Sequence, residues 1–550
     1  MANTPIGAQL AAVESRADRL LVVAPPGCGK TELLAMRAER MIRDGTVRPG
    51  RRLLAITFTN RARDNLRERL RQQLGEARMR ASVSTMNFHE LAARVVEAHA
   101  PTIDLERGYT GPNPSWLRRA IATRDLGRTR SAEVRELLQS VKREAFTDTE
   151  VLDRLNGDAD AQDIERTRQA ERYIDYGDLL RYAQLILRND RVAALFRAHF
   201  DALLVDEFQD LSLQQYELTQ RVASRNIAYV GDPFQGIYGW AGASPERIHA
   251  DLEASCEGVT LTSSFRSSPA VLKIVNSISA DLGALALEAA EPERWGKSGG
   301  HAYAAVYPND TAEADGIIAL TDYLAAKYPD DRIGVICRAV YRRGALDRAY
   351  ERATHQPQFW DIALDTPRVA RLLKTHARHV EPAAAFADQV AELKERTCAA
   401  LPPTDVDTLT EVQEACEQLA EHEDHNVSVA SLVNRIRDHQ VVSAIAPGVH
   451  VLNAHVGKGQ QFDWVIVMAL EEGHVPSSYS KTPEALLEDE RILLVMVSRA
   501  RRGLFLTRAN SNTNQYGRVF HNDPSRWWKQ MAAAAKPMPN NVSSLLKIST

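Results

Sequence analysis

Short apolar runs alternate with longer amphipathic stretches along most of the chain. The runs at 20–24, 52–57, 202–206, 227–231, 333–337, 449–453, 464–469 and 503–507 are rich in Val, Ile and Leu and too short for buried helices, so they predict strands. The segments between them carry apolar residues at helical spacing. Such alternation predicts α/β architecture, with parallel sheets covered by helices. Two regions break the rhythm. Residues 91–197 predict a mainly helical insertion, looser around 108–114. Residues 353–447 predict a second helical insertion without clear strands. Inside it, 383–399 and 408–424 read as a helical hairpin. Pro402 and Pro403 stop its first helix, and Asp407 or Thr408 caps its second. The expected organisation is a first core from 1–90 and 198–260, and a second from 261–352 and 448–550, each split by one insertion.

Composition changes this picture little. Of 550 residues, 44% are hydrophobic and 25% charged, enough for sizeable cores in a soluble protein. No run is long enough to span a membrane, and no charged-then-apolar leader opens the chain. Five cysteines, at 28, 256, 337, 398 and 416, form no CxxC pair, so neither a disulfide framework nor a zinc site is expected. A reducing cytoplasm fits, with no membrane partner. The net charge of −4 hides an asymmetry. Residues 48–80 carry ten arginines against three acidic residues, whereas 381–425 carry twelve acidic residues against two basic ones. The two surfaces suit different partners.

The chemistry concentrates at strand ends. Ala24-Pro25-Pro26-Gly27-Cys28-Gly29-Lys30-Thr31 follows the first predicted strand and opens a helix. Glycines there let backbone N–H groups face an anion, and the helix N-terminus adds its dipole. Lys30 is expected to reach the β- and γ-phosphates of a nucleoside triphosphate, and the Thr31 hydroxyl to hold Mg²⁺. The run at 202–206 ends in Asp206 and Glu207. Asp206 is placed to hold Mg²⁺, and Glu207 to orient or deprotonate the attacking water. After 227–231 comes Asp232-Pro-Phe-Gln235-Gly-Ile-Tyr238-Gly-Trp240. Gln235 is the candidate γ-phosphate sensor. Tyr238 and Trp240 offer flat faces for unstacked bases, set against the ordinary alternative of core aromatics.

The order of these motifs resembles the superfamily 1A DNA helicases of the UvrD/Rep/PcrA type nearly end to end, and compact relatives include the helicase subunit of an antiphage system, Gabija. Gln9 is similar to the family's adenine-reading glutamine. Ile56-Thr-Phe58-Thr59-Asn60-Arg61-Ala62 resembles the first DNA-contacting segment, and Asp175-Tyr-Gly-Asp178-Leu-Leu180 the segment that closes the first insertion. Ser264-Phe-Arg266-Ser267 resembles the fourth motif, Asn453-Ala-His455 through Gln461-Phe462-Asp463 the fifth, and Glu490 through Ser498-Arg499-Ala500 the sixth. The resemblance implies two RecA-like P-loop cores that grip ATP and Mg²⁺ between Lys30 and Thr31 on one side and Arg266, Gln461 and Arg499 on the other. It also implies DNA contacts by Phe58, Thr59, Asn60, Tyr238, Trp240 and His455. The implied activity is ATP-dependent 3′-to-5′ movement on single-stranded DNA with unwinding at single-strand/duplex junctions. The alternative is an ATP-dependent DNA sensor that recruits a nuclease. A third reading, a nucleotide kinase, shares only the first motif.

The sequence departs from the family pattern at several positions. Ala24 stands where the phosphate loop usually begins with Gly, Gln461 where a glutamate meets the sugar, and Ala241 where an arginine is usual. Asn87 occupies a common histidine position, with His89 nearby. The 353–447 insertion is short and acidic, which opposes a grip on DNA phosphates. It is expected to bind a protein partner, such as a separate nuclease, or to autoinhibit. A cytoplasmic, nucleoid-associated protein in DNA repair or antiphage defence is the expected setting.

Overall fold

The computed structural model describes residues 5–58, 60–105, 116–124, 126–239, 242–338, 340–360, 362–364, 367–402, 428–434, 436–438, 445–513 and 518–539, with scattered positions between 408 and 420. The chain divides into two units, Met1–Leu261 and Thr262–Thr550.

The first unit is built on six strands: β1 (Arg19–Val23), β2 (Arg52–Thr57), β3 (Val83–Asn87), β4 (Phe200–Asp206), β5 (Ile227–Gly231) and β6 (Glu257–Thr260). They lie in the order β3-β2-β4-β5-β1-β6, and every pairing is parallel. All residues of β4 and β5 are buried, as expected for central strands covered on both faces. The polar edge strands β3 and β6 carry too few apolar residues to stand out in the sequence. Because the sheet is parallel, the loops after β1, β4 and β5 emerge at one edge, side by side.

Helices Phe88–His99 and Tyr176–Leu187 pack their apolar faces into this sheet's core through Leu91, Val95, Leu179, Ala183 and Ile186. Between them, Trp116, Ile121, Val134, Leu138, Val151 and Ile164 form a separate small core. A buried ionic cluster joins the two. Lys142 Nζ lies 3.0 Å from carboxylate oxygens of Glu165, Asp175 and Asp178. Arg168 shares that Asp178 oxygen with Lys142 at 3.2 Å, and Arg181 reaches the other oxygen at 2.7 Å. Asp175 and Asp178 also form a reciprocal capping box at the start of Tyr176–Leu187.

The second unit begins with a short parallel pair, β7 (Ser263–Ser264) and β8 (Glu288–Ala289). Its main sheet comprises β9 (His301–Tyr307), β10 (Arg332–Cys337), β11 (Gln358–Phe359), β14 (Gly448–Asn453), β15 (Phe462–Val467), β16 (Ala500–Ala509) and β19 (Lys536–Pro537). Their order is β11-β14-β10-β15-β16-β9-β19, again all parallel. An antiparallel pair, β17 (Ser511–Thr513) and β18 (Val519–His521), completes the C-terminal region. The protein is thus α/β, with two RecA-like parallel-sheet cores.

The 353–447 region, expected to be helical without clear strands, also contains short strands. It contributes β11 to the main sheet and holds a parallel pair, β12 (Ile362–Leu364) and β13 (Ile436–Asp438). These strands are two or three residues long, below the length at which alternation is readable. The first expected hairpin helix is present as Phe386–Ala399. Much of 408–424 lies outside the described residues, although Val412, Ala415, Cys416 and Leu419 are buried in one cluster with Val390 and Leu393.

Candidate active site

The loop after β1 turns on two left-handed glycines, Gly27 at φ 83° and Gly29 at φ 79°. A Cβ on Gly29 would fall 2.9 Å from Gln9 Nε2. That amide donates to the Cys28 carbonyl at 2.8 Å, so Gln9 braces the loop from behind. Ala24 is fully buried, and its N–H donates to the Gly231 carbonyl at 2.7 Å, tying the loop's root to the end of β5. Pro25 accepts the Cys28 N–H at 3.3 Å and closes the turn through Pro26 and Gly27. Helix Lys30–Arg43 starts at once, with Gly29 as its cap and Thr31 in its first turn.

Lys30 meets the carboxylates at the ends of β4 and β5. Its Nζ lies 3.1 Å from Glu207 Oε2. Burial pulls the Lys30 ammonium down, but Glu207, Asp232 and Asp206 together overcome it and hold Lys30 above its usual range. Asp206 fares differently. Burial, reinforced by the charge of Glu207, outweighs Lys30 and pushes it up to about 7. Asp232 is also raised, by burial against the attraction of Lys30 and a hydrogen bond from Gln235. Negative charge is therefore under-compensated here, which is the condition a divalent cation relieves. Thr31 and Asp206 supply hard oxygen ligands of the kind Mg²⁺ takes alongside phosphate oxygens. Glu207 sits in the left-handed region at φ 55°, a strained backbone that functional sites retain.

Two residues without an assigned role organise this cluster. Gln209 is fully buried; its Nε2 donates to Glu207 Oε2 at 2.6 Å and its Oε1 accepts the Asp232 N–H at 3.0 Å. It thus ties the Glu207 carboxylate after β4 to the backbone of Asp232 after β5. Gly231 makes room for it, since a Cβ there would fall 2.3 Å from Gln209 Oε1. The available sequence signal was the glycine at the end of an apolar strand, which marks close approach. Gln235 is buried and donates from Nε2 to Asp232 Oδ2 at 2.6 Å.

Phe58, at the end of β2, and Tyr238 stack with centroids 5.4 Å apart and planes 26° from parallel. Two of the three stacking candidates therefore lie side by side, ring on ring. Thr59 and Trp240 lie outside the described residues, as does Ala241; Asn60 opens helix Asn60–Leu74. Asn87 caps helix Phe88–His99 by accepting the Glu90 N–H at 2.7 Å, a structural use for this departure.

In the second unit, Arg266 and Arg499 come together on one helix end. Arg266 Nη1 donates to the Ser498 carbonyl at 3.2 Å. Arg499 is buried; its Nε donates to the Val495 carbonyl and its Nη2 to Ser498 Oγ, both at 2.8 Å. Gln461, just before β15, is exposed. So is the ring of Phe265, at 36%, beside Arg266. This flat apolar face next to a cation was not singled out from the sequence. His455 follows β14 at the opposite end of the same parallel sheet. Burial, then Arg338 and Lys458, push its imidazole down to about 4, so it is neutral at physiological pH.

Among the described residues no helix is long and apolar enough to cross a membrane. The UvrD/REP helicase N-terminal domain matches residues 7–254, and the UvrD-like helicase C-terminal domain matches 354–511. The ATP-dependent DNA helicase PcrA of Leuconostoc citreum is 24% identical, over 94% of this chain and 83% of its own. PcrA of Staphylococcus aureus strain Mu50 is also 24% identical, over 95% and 85%. With both units matched and their motifs in order, the chain belongs to the UvrD/REP helicases, as a UvrD/PcrA-type member of superfamily 1.

Proposed function

We propose that this protein is an ATP-dependent DNA helicase that moves 3′-to-5′ on single-stranded DNA and opens duplex at junctions. The reading rests above all on the under-compensated cluster of Lys30, Asp206, Glu207 and Asp232 beside a left-handed glycine loop. Bound Mg²⁺ would neutralise charge on the phosphates and is assigned to Thr31 and Asp206. Lys30 exchanges Glu207 for the β- and γ-phosphates. Glu207, released and steered by Gln209, accepts a proton from the attacking water. Gln9, Gln461 and Phe265 bind the nucleoside end. Arg266 and Arg499 leave the carbonyls that hold them and stabilise charge on the transferring phosphoryl group.

Movement follows from the loss of those cations' ligand. Once the γ-phosphate is gone, the arginines return to Val495 and Ser498, and the grip on DNA alternates with the grip on nucleotide. Phe58, Tyr238 and Trp240 are assigned to base stacking, and Thr59, Asn60 and His455 to the backbone. The acidic insertion is assigned to a protein partner, a separate nuclease being the candidate, in repair or antiphage defence. The test is strand displacement on a 3′-tailed duplex. Displacement with ATP and Mg²⁺ supports a helicase; DNA-dependent hydrolysis without displacement would establish a nuclease-recruiting sensor instead.

A further inference from the structure

We propose that the second unit carries a separate binding site for a phosphorylated small molecule of nucleotide size, between the 294–300 loop and the first residues of β9, β15 and β16. A cavity of about 700 Å³ opens there. None of Phe265, Arg266, Gln461 and Arg499 lines it. Its cations come from two elements, Arg294 and Lys297 on the loop and Arg501 and Arg502 on β16.

The charges do not cancel. Arg501 holds the lining carboxylate Asp463 at 3.2 Å, and Arg502 is held by Asp331 at 2.7 Å. Arg294 has a loose, exposed pairing with Glu291 at 3.7 Å and lies over the Trp295 ring, 5.6 Å from its centroid. Lys297 has no ion pair or hydrogen bond among the described residues. The positive field registers on His301 in the cavity wall, pushed down to about 4 by burial and then by Arg502, Lys536 and Lys327. Arg294 and Lys297 are thus available for phosphate, and the Trp295 ring, which Arg294 now overlies, supplies a flat face for a base; the Tyr328 ring is already stacked on Trp464 and overlain by Arg502. Three glycines with positive φ, Gly296, Gly299 and Gly300, shape the loop, and the N–H groups of Gly296 and Gly299 close it on the Glu293 and Gly296 carbonyls at 3.2 and 3.1 Å.

The site is wired to the arginines discussed above. A Cβ on Gly300 would fall 2.1 Å from Ser268 Oγ, so loop and Ser268 are in close contact. Ser268 N–H donates to the Arg501 carbonyl at 2.8 Å, its Oγ to the Arg502 carbonyl at 3.2 Å, and Ser267 Oγ to the Ala500 carbonyl at 2.7 Å. A ligand that orders the loop therefore stiffens the segments bearing Arg266 and Arg499. This regulatory consequence rests on their proposed role; the binding site does not.

Calorimetric titration of the full chain with inorganic tripolyphosphate, and separately with ADP, tests the proposal. Two binding events are expected. Lys30→Ala removes one. Lys297→Glu, or Arg294→Glu on the same exposed loop, weakens the other by about tenfold or more, while hydrolysis without added ligand is unchanged. A single event lost in Lys30→Ala, or a second event indifferent to both reversals, overturns the proposal. So does a Lys297→Glu variant that loses affinity for a short oligothymidylate yet keeps both events, because the cavity would then be a polynucleotide groove.

Discussion

The first unit buries two clusters of charge, and they are built on opposite terms. Around Asp178, the cations Lys142, Arg168 and Arg181 contact the carboxylates directly. Burial works against the Asp178 charge, but these cations prevail and hold it well below the usual carboxylate range. Around Asp206, burial and Glu207 prevail over Lys30, and the carboxyl is pushed up to about 7. One cluster is complete without a ligand. The other is finished only by an incoming cation and phosphate. The contrast separates a brace from a reaction centre within one unit, although both look like acidic residues near a lysine.

The largest expected effects fall on the reaction centre. Lys30→Ala should abolish ATP hydrolysis, and Arg499→Ala should slow it by about a thousandfold while sparing nucleotide binding. Steady-state kinetics beside a thermal melt checks both. Near-normal turnover in Lys30→Ala, or equal losses of binding and turnover in Arg499→Ala, would break the assignment. The brace should respond in stability instead. Asp178→Asn leaves buried cations short of a partner and should cost about 3–5 kcal/mol, read by urea denaturation. A loss below about 1 kcal/mol would show that the cluster is not a brace.

Smaller effects sharpen the contrast. Phe58→Ala should weaken single-stranded DNA binding by about 1–3 kcal/mol, measured by fluorescence anisotropy, and leave nucleotide affinity intact. Asp206→Asn should raise the melting temperature of the nucleotide-free protein at pH 8. A carboxyl raised to about 7 keeps a proton in the folded state that the unfolded chain releases above about pH 4. Folding therefore loses stability as pH rises through that window, and the amide removes the penalty. The gain should be present at pH 8 and vanish near pH 4. A gain that is the same at both pH values would contradict the raised carboxyl.

Much of this was legible because central strands are apolar on both faces. The expected runs at 52–57 and 227–231 coincide with β2 and β5, and Asp206 closes β4 as read. The strands not expected include edge strands, such as β3 with its Ser and Thr, very short ones, such as β12 and β13, and the seven-residue β9, which is only partly buried and bordered on one side by the two-residue β19. At the site, residue types that touch phosphate announce themselves through motif spacing. Gln209 does not, because its work is to hold Glu207 and the Asp232 backbone, and the glycine that ends β5 marks a close approach without saying which side chain fills it. The sequence also gives no sign that Arg499 rests on Val495 and Ser498. That arrangement depends on helix Pro483–Val497 ending where it does.

The central claim is that the unfinished cluster is an ATP·Mg²⁺ site whose turnover is coupled to DNA. The most direct measurement is ATP hydrolysis by the full chain with and without single-stranded DNA at saturating Mg²⁺. Hydrolysis should be slow alone and rise about tenfold or more with DNA, and Lys30→Ala should abolish it. Hydrolysis that ignores DNA, or that survives the loss of Lys30, would contradict the claim.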